Sequence, residues 1–127
     1  MSVVDVTDED NQIYPAVSGM NVYVRAWGGG GQLMSLSANG APMAINPFTG
    51  IGELELGPGA ALKNTTVDVD AAFIKTNPQA PSAYLNLELF QRRSGSATRF
   101  NLDRFGPLEV SFGGQTTVTR QTSISII

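Results

Sequence analysis

The stretch 21–40 reads NVYVRAWGGGGQLMSLSANG, four consecutive glycines set between two alternating runs. A glycine run of this kind has two readings, and they lead to different folds. A phosphate-binding loop needs Gly-x-x-x-x-Gly-Lys followed by serine or threonine, so that backbone amides wrap the phosphates while the lysine neutralises them. Here Gly31 is followed by Gln32 and Leu33. A dinucleotide fingerprint needs a helix after the glycines to present its N-terminal amides. The residues after these glycines are QLMSLSA, which alternate as a strand does. Gly28 to Gly31 are therefore expected to form a mobile hairpin loop joining two antiparallel strands.

The same period of two runs through the rest of the chain. TTVDVDAAFIKT (65–76) sets Val67, Val69, Ala71 and Phe73 against Thr66, Asp68 and Asp70. SAYLNLELFQ (82–91) sets Leu85, Leu87 and Leu89 against Asn86 and Glu88, and PLEVSFGG (107–114) sets Leu108, Val110 and Phe112 against Glu109 and Ser111. Each is the pattern of a half-buried strand. The closing run, QTTVTRQTSISII (115–127), is rich in β-branched residues. Arg120 interrupts its apolar face, so part of this strand is expected at the rim of a sheet. TSISII carries no charge, and left at an open edge it would pair with another copy. It is expected to be central in its sheet or completed by a neighbouring subunit.

Further strands are expected near 3–6, 12–17, 20–27, 32–38 and 52–56. Turn chemistry lies between them in SANGAP, NPFTG, GPG, TNPQAPS, RRSGS and FGP. No window shows a helical period with caps. Eight or nine short strands at close spacing predict an all-β chain, an antiparallel β-sandwich of jelly-roll-like or immunoglobulin-like kind, with a small β-barrel as the second choice. With 127 residues, no internal repeat and no linker, the expectation is a single domain over 1–127.

Composition excludes several chemistries. The chain has no cysteine and no histidine, so it has no disulfide, no Cys or His metal site, no thiol nucleophile and no imidazole base. Charged residues are only 15%, which leaves a surface that neither repels copies of itself nor attracts polyanions strongly. Nucleic acid is not expected as a partner, because the net charge is −3. No apolar run is long enough for a membrane helix. MSVVDVTDEDNQIYP shows no signal-peptide pattern, so the default expectation is a cytoplasmic protein, with signal-independent export or incorporation in a particle also compatible.

Three groups of residues stand out as candidate sites. Val22, Val24 and Ala26 share one face of their strand, which puts Tyr23, Arg25 and Trp27 together on the other. Aromatic rings beside an arginine bury much area at little entropic cost and are favoured at binding hot spots. That face is covered within the monomer, meets another subunit, or stacks on a ligand such as a sugar ring. Arg92, Arg93, Arg99 and Arg104 fall close together and read as an anion or acidic-partner patch, or as a solvated turn and strand. Asp5, Asp8 and Asp10 belong to an acidic cluster whose oxygens suit calcium, although the spacing is not that of an EF-hand. No other cofactor is expected. Asp68 and Asp70 stand two apart on one strand face, a spacing compatible with an acid and base pair, but they sit among threonines on a solvent face.

The function expected from these features is non-catalytic: an interaction or structural protein acting through the aromatic surface, by homo-oligomeric self-assembly. The alternative is a lectin-like carbohydrate-binding module, calcium-assisted if the acidic cluster is used, in which Tyr23 and Trp27 stack on a glycan.

Overall fold

A computed structural model of the chain describes residues 12–127. The strand expected near 3–6 and the carboxylates Asp5, Asp8 and Asp10 lie outside the described residues. Among the described residues nine strands form two sheets that face each other, with no closed barrel. The first sheet holds β1 (Ile13–Tyr14), β9 (Thr117–Ile126), β6 (Thr66–Ile74), β3 (Gln32–Ala38) and β4 (Ala41–Pro42), in that order. The second holds β5 (Gly52–Pro58), β2 (Asn21–Gly29), β7 (Ser82–Arg92) and β8 (Phe100–Ser111). One helical turn, α1 (Gly59–Leu62), follows β5. All of these pairings are antiparallel except that of β1 with β9.

The core is built from the alternating rows. Val67, Val69, Ala71 and Phe73 of β6 face Val22, Val24 and Ala26 of β2 and Leu85, Leu87 and Leu89 of β7, all buried. Each large apolar side chain removed from water contributes about 1.5–3 kcal/mol, so these rows hold the two sheets together.

The glycine run does not make a hairpin. β2 belongs to the second sheet and β3 to the first, so Gly28 to Gly31 carry the chain across the sandwich. The crossing is packed rather than open. Gly30 has φ +73°, and a Cβ there would stand 2.5 Å from the Ser82 carbonyl oxygen; one on Gly31 would stand 3.0 Å from the Ile74 carbonyl oxygen. Glycine is required because two backbones and the rim of the core close on the corner.

Arg120 also departs from its expected place at a rim. It lies on the inner face at 3% exposure, and its Nη1 donates to the Glu109 carbonyl oxygen of β8 at 3.1 Å, which joins the two sheets from within. β9 pairs with β6 along its length and with β1 at Ser125 and Ile126. Ile127 is held beyond the strand, its amide donating to the Tyr14 carbonyl and its own carbonyl accepting from Ala16.

A buried polar network fastens β1 and the residues after it. Tyr14 donates from its hydroxyl to the Asn101 carbonyl at 2.7 Å and accepts from Gln91 Nε2 at 3.1 Å. Gln91 Nε2 also donates to the Pro15 carbonyl, and the Val17 amide donates to Gln91 Oε1 at 2.8 Å. Burial pushes the Tyr14 phenol up to about 12, against a lowering by the Gln91 hydrogen bond and with a smaller upward push from the Asp103 carboxylate. Folding thus favours the protonated phenol. Its contribution is complete below the ordinary value of 10.0 and is lost as pH rises toward 12. In base titrations followed by circular dichroism, Tyr14→Phe is expected to lose stability less steeply than the parent across that window. Equal slopes would remove Tyr14 as the group responsible.

Candidate functional site

The outer face of the second sheet carries the site. Strand pairing places Arg25 of β2 opposite Glu88 of β7, and Glu88 opposite Arg104 of β8. The period of two puts Glu88 on the row predicted to meet solvent, yet it is only 3% exposed. Arg25 Nη1 lies 3.5 Å from its Oε1, and Arg104 Nε donates to its Oε2 at 2.7 Å. Removing a carboxylate from water is costly unless it is paired and hydrogen-bonded; Arg104 supplies a charge-assisted hydrogen bond and Arg25 a second positive charge close by.

The predicted face of Tyr23, Arg25 and Trp27 divides in two. Tyr23 stacks on Phe90 with ring centroids 5.4 Å apart and planes 3° from parallel. Arg92 lies over both rings, at 4.9 and 5.1 Å, and Arg99 lies 4.8 Å over Phe90. The Tyr23 hydroxyl donates to Glu55 Oε1, and its pKa is raised by desolvation and by the charge of that carboxylate. Tyr23 is therefore half-buried on the outer face of the sheet, its ring stacked on Phe90 and the Arg92 guanidinium over both. Arg25 and Trp27, whose ring and guanidinium are 5.9 Å apart, instead line an open cleft of about 390 Å³.

The four-arginine patch divides in the same way. Arg99 and Arg104 join Arg25 and Trp27 in the cleft, with Glu88 in its lining. Arg92 covers Tyr23 and Phe90, and Arg93 lies 5.6 Å over Phe100. Two groups read separately from sequence thus meet at one place, while part of each is used to build the platform.

The opposite wall is a loop that the sequence marks only as the turn NPFTG. Asn46 Oδ1 accepts from the amides of Phe48 and Thr49, the Gly50 amide donates to the Asn46 carbonyl at 2.7 Å, and the Asn46 amide donates to the Ile51 carbonyl. These bonds hold Thr49, Gly50 and Ile51 against the cleft and leave Phe48 96% exposed beside it. A second groove of about 340 Å³ continues along this wall past Asn46 and Glu53. Neither Phe48 nor Glu88 announces itself in the sequence, since a turn phenylalanine and an outward glutamate are both ordinary there.

Asp68 and Asp70 line a separate hollow on the outer face of the first sheet with Gln121, Thr122 and Ser123. Ser123 donates to Asp68 Oδ1 at 2.6 Å, and every side chain of that lining is polar. No group of three or more acidic residues gathers as a metal site among the described residues. No helix among them is long and apolar enough to cross a membrane.

The fold and cleft together define a two-sheet β-sandwich with an arginine-lined, tryptophan-walled cleft on the outer face of one sheet. Comparison of the chain with protein-family models, with curated proteins and with solved structures finds no match.

Proposed function

We propose that the protein is a non-catalytic binding module whose cleft takes a carbohydrate. One observation carries the reading: Arg25, Trp27, Arg99 and Arg104, drawn from separate parts of the chain, converge on one concavity. About 390 Å³ is within the range of small-ligand sites, and an aromatic wall with a few convergent polar groups suits a sugar ring. Tyr23, engaged with Phe90, serves the platform rather than the ligand.

Calorimetric titration against a glycan panel tests this. Trp27→Ala is expected to weaken binding by at least about tenfold, in line with loss of one anchor, while the unfolding midpoint moves little because the ring lies on the outer face. Undiminished binding in that variant would reject the cleft.

A second reading, self-assembly through the same aromatic surface, is favoured by Phe48, which is 96% exposed on a turn fixed by hydrogen bonds, and by the exposed Leu102 at the cleft. Solution mass over a wide concentration range separates the two. An oligomer that dissociates on Phe48→Ser supports assembly, and a monomer throughout rejects it.

A further inference from the structure

We infer that the cleft selects an acidic saccharide, a sugar bearing a carboxylate, with its ring against Trp27 and its carboxylate held by Arg99 and Arg104. The inference rests on the carbohydrate reading above. It adds a charge requirement.

The cleft is lined by three guanidiniums against one carboxylate, and that carboxylate, Glu88, is already engaged by two of them. A guanidinium has five N–H donors in a planar fork, and the contacts with Glu88 use one nitrogen of Arg25 and one of Arg104. Glu88 thereby sets the orientation of both cations without exhausting them. The Arg104 side chain is 74% exposed even though its Nε is anchored, so its outer edge meets solvent in a fixed orientation. A fixed fork of this kind matches a carboxylate in two parallel hydrogen bonds. Arg99 adds a third positive charge; its separation from Glu53 is 4.0 Å, with both side chains well exposed, a pair too weak to neutralise it.

Several features favour an acidic sugar over other anions. Trp27, Ile51 and Leu102 give the cleft an apolar surface for the C–H face of a ring, which a bare inorganic anion does not use. Glu53, in the adjoining groove, accepts hydrogen bonds from hydroxyls and opposes a multiply charged phosphate ester. The ligand expected therefore seats one acidic ring in the cleft and turns any neighbouring sugar unit, through its hydroxyls, toward Glu53 in the groove.

Trp27 is the only tryptophan in the chain, so intrinsic tryptophan fluorescence reports on the cleft alone. The probes are short uronic-acid oligosaccharides, the same oligosaccharides with every carboxylate converted to its methyl ester, neutral oligosaccharides, acetate and inorganic sulfate. The expected result is that an acid form changes Trp27 fluorescence with at least about tenfold higher affinity than its ester, and that the advantage shrinks as salt rises, because the cations are solvent-accessible. Arg104→Gln is expected to abolish the preference for the acid form. Arg99→Gln, which leaves both contacts of Glu88 in place, is expected to reduce it if Arg104→Gln does not fold.

Equal affinity for acids, esters and neutral sugars would overturn the acidic selection and leave the carbohydrate reading standing. Acetate or sulfate binding as tightly as the acid oligosaccharides would overturn the saccharide in favour of a bare anion site. Silence from all sugars up to roughly 10 mM, below which even weak single-site binding is visible, would overturn both.

Discussion

Replacing Gly30 with alanine is expected to lower the unfolding free energy by about 2–4 kcal/mol, while Gly29→Ala, one position earlier, stays within about 1 kcal/mol of the parent. The contrast comes from the surroundings of each Cβ. At Gly30 the backbone has φ +73° and the new carbon would stand 2.5 Å from the Ser82 carbonyl oxygen, an atom of the neighbouring strand that cannot swing aside. At Gly29 the nearest atom is 4.0 Å away, an ordinary contact, and alanine restricts the unfolded chain more than glycine does. Urea titration of the two variants beside the parent measures the difference. Equal midpoints for both would show that the crossing relaxes freely and that the corner is not tightly specified.

The second large effect concerns Gln91. Gln91→Leu keeps the volume but leaves the Pro15 carbonyl and the Val17 amide without their side-chain partner and takes one hydrogen bond from Tyr14. Polar groups stranded in this way cost about 1–3 kcal/mol each, so a loss of about 3 kcal/mol is expected, or a fall in melting temperature of roughly 10 °C for a chain of this size. Hydrogen exchange should localise the damage, with the Val17 amide exchanging far faster while amides in the middle of β7 keep their protection relative to the new global stability. A variant as stable as the parent would mean that the network contributes little beyond packing.

The strands were legible because their alternating side chains separate an inner from an outer face. β3 coincides with the expected 32–38, and β2, β5, β6, β7 and β9 lie where period-two runs place them. The assignment of strands to sheets was not legible. A glycine run between two strands looks the same locally whether it folds back or crosses to the opposing sheet, and only Ser82, Ile74 and Phe112, distant in sequence, distinguish them. β8 begins at Phe100, well before the predicted run, because it is an edge strand: Asn101 to Arg104 are exposed on both faces and leave no alternation to read.

The site was half legible for a related reason. Residue type and period placed Tyr23, Arg25 and Trp27 on one row, but which of them meets solvent depends on the arginines that fold over it. Arg92 and Arg99 reach that row from the end of β7 and beyond, and they turn Phe90, whose row is outward, into a fully buried residue. Glu88 changes from a solvated charge to a buried one by the same kind of covering. A one-dimensional pattern records neighbours two positions apart and carries no information about side chains arriving from another strand.

The position of β9 bears on the order in which the chain acquires its structure. β9 lies between β6 and β1, so the first described strand has no partner in its sheet until Thr117–Ile126 is available. During synthesis the second sheet can assemble first, since β2, β5, β7 and β8 all precede that segment. The first sheet stays incomplete until then, with β6 paired to β3 on one side and open on the other. Folding is accordingly expected to be slow for the chain length, on the millisecond-to-second scale of topologies dominated by non-local pairing. The most aggregation-prone interval is the one just before the last strand arrives.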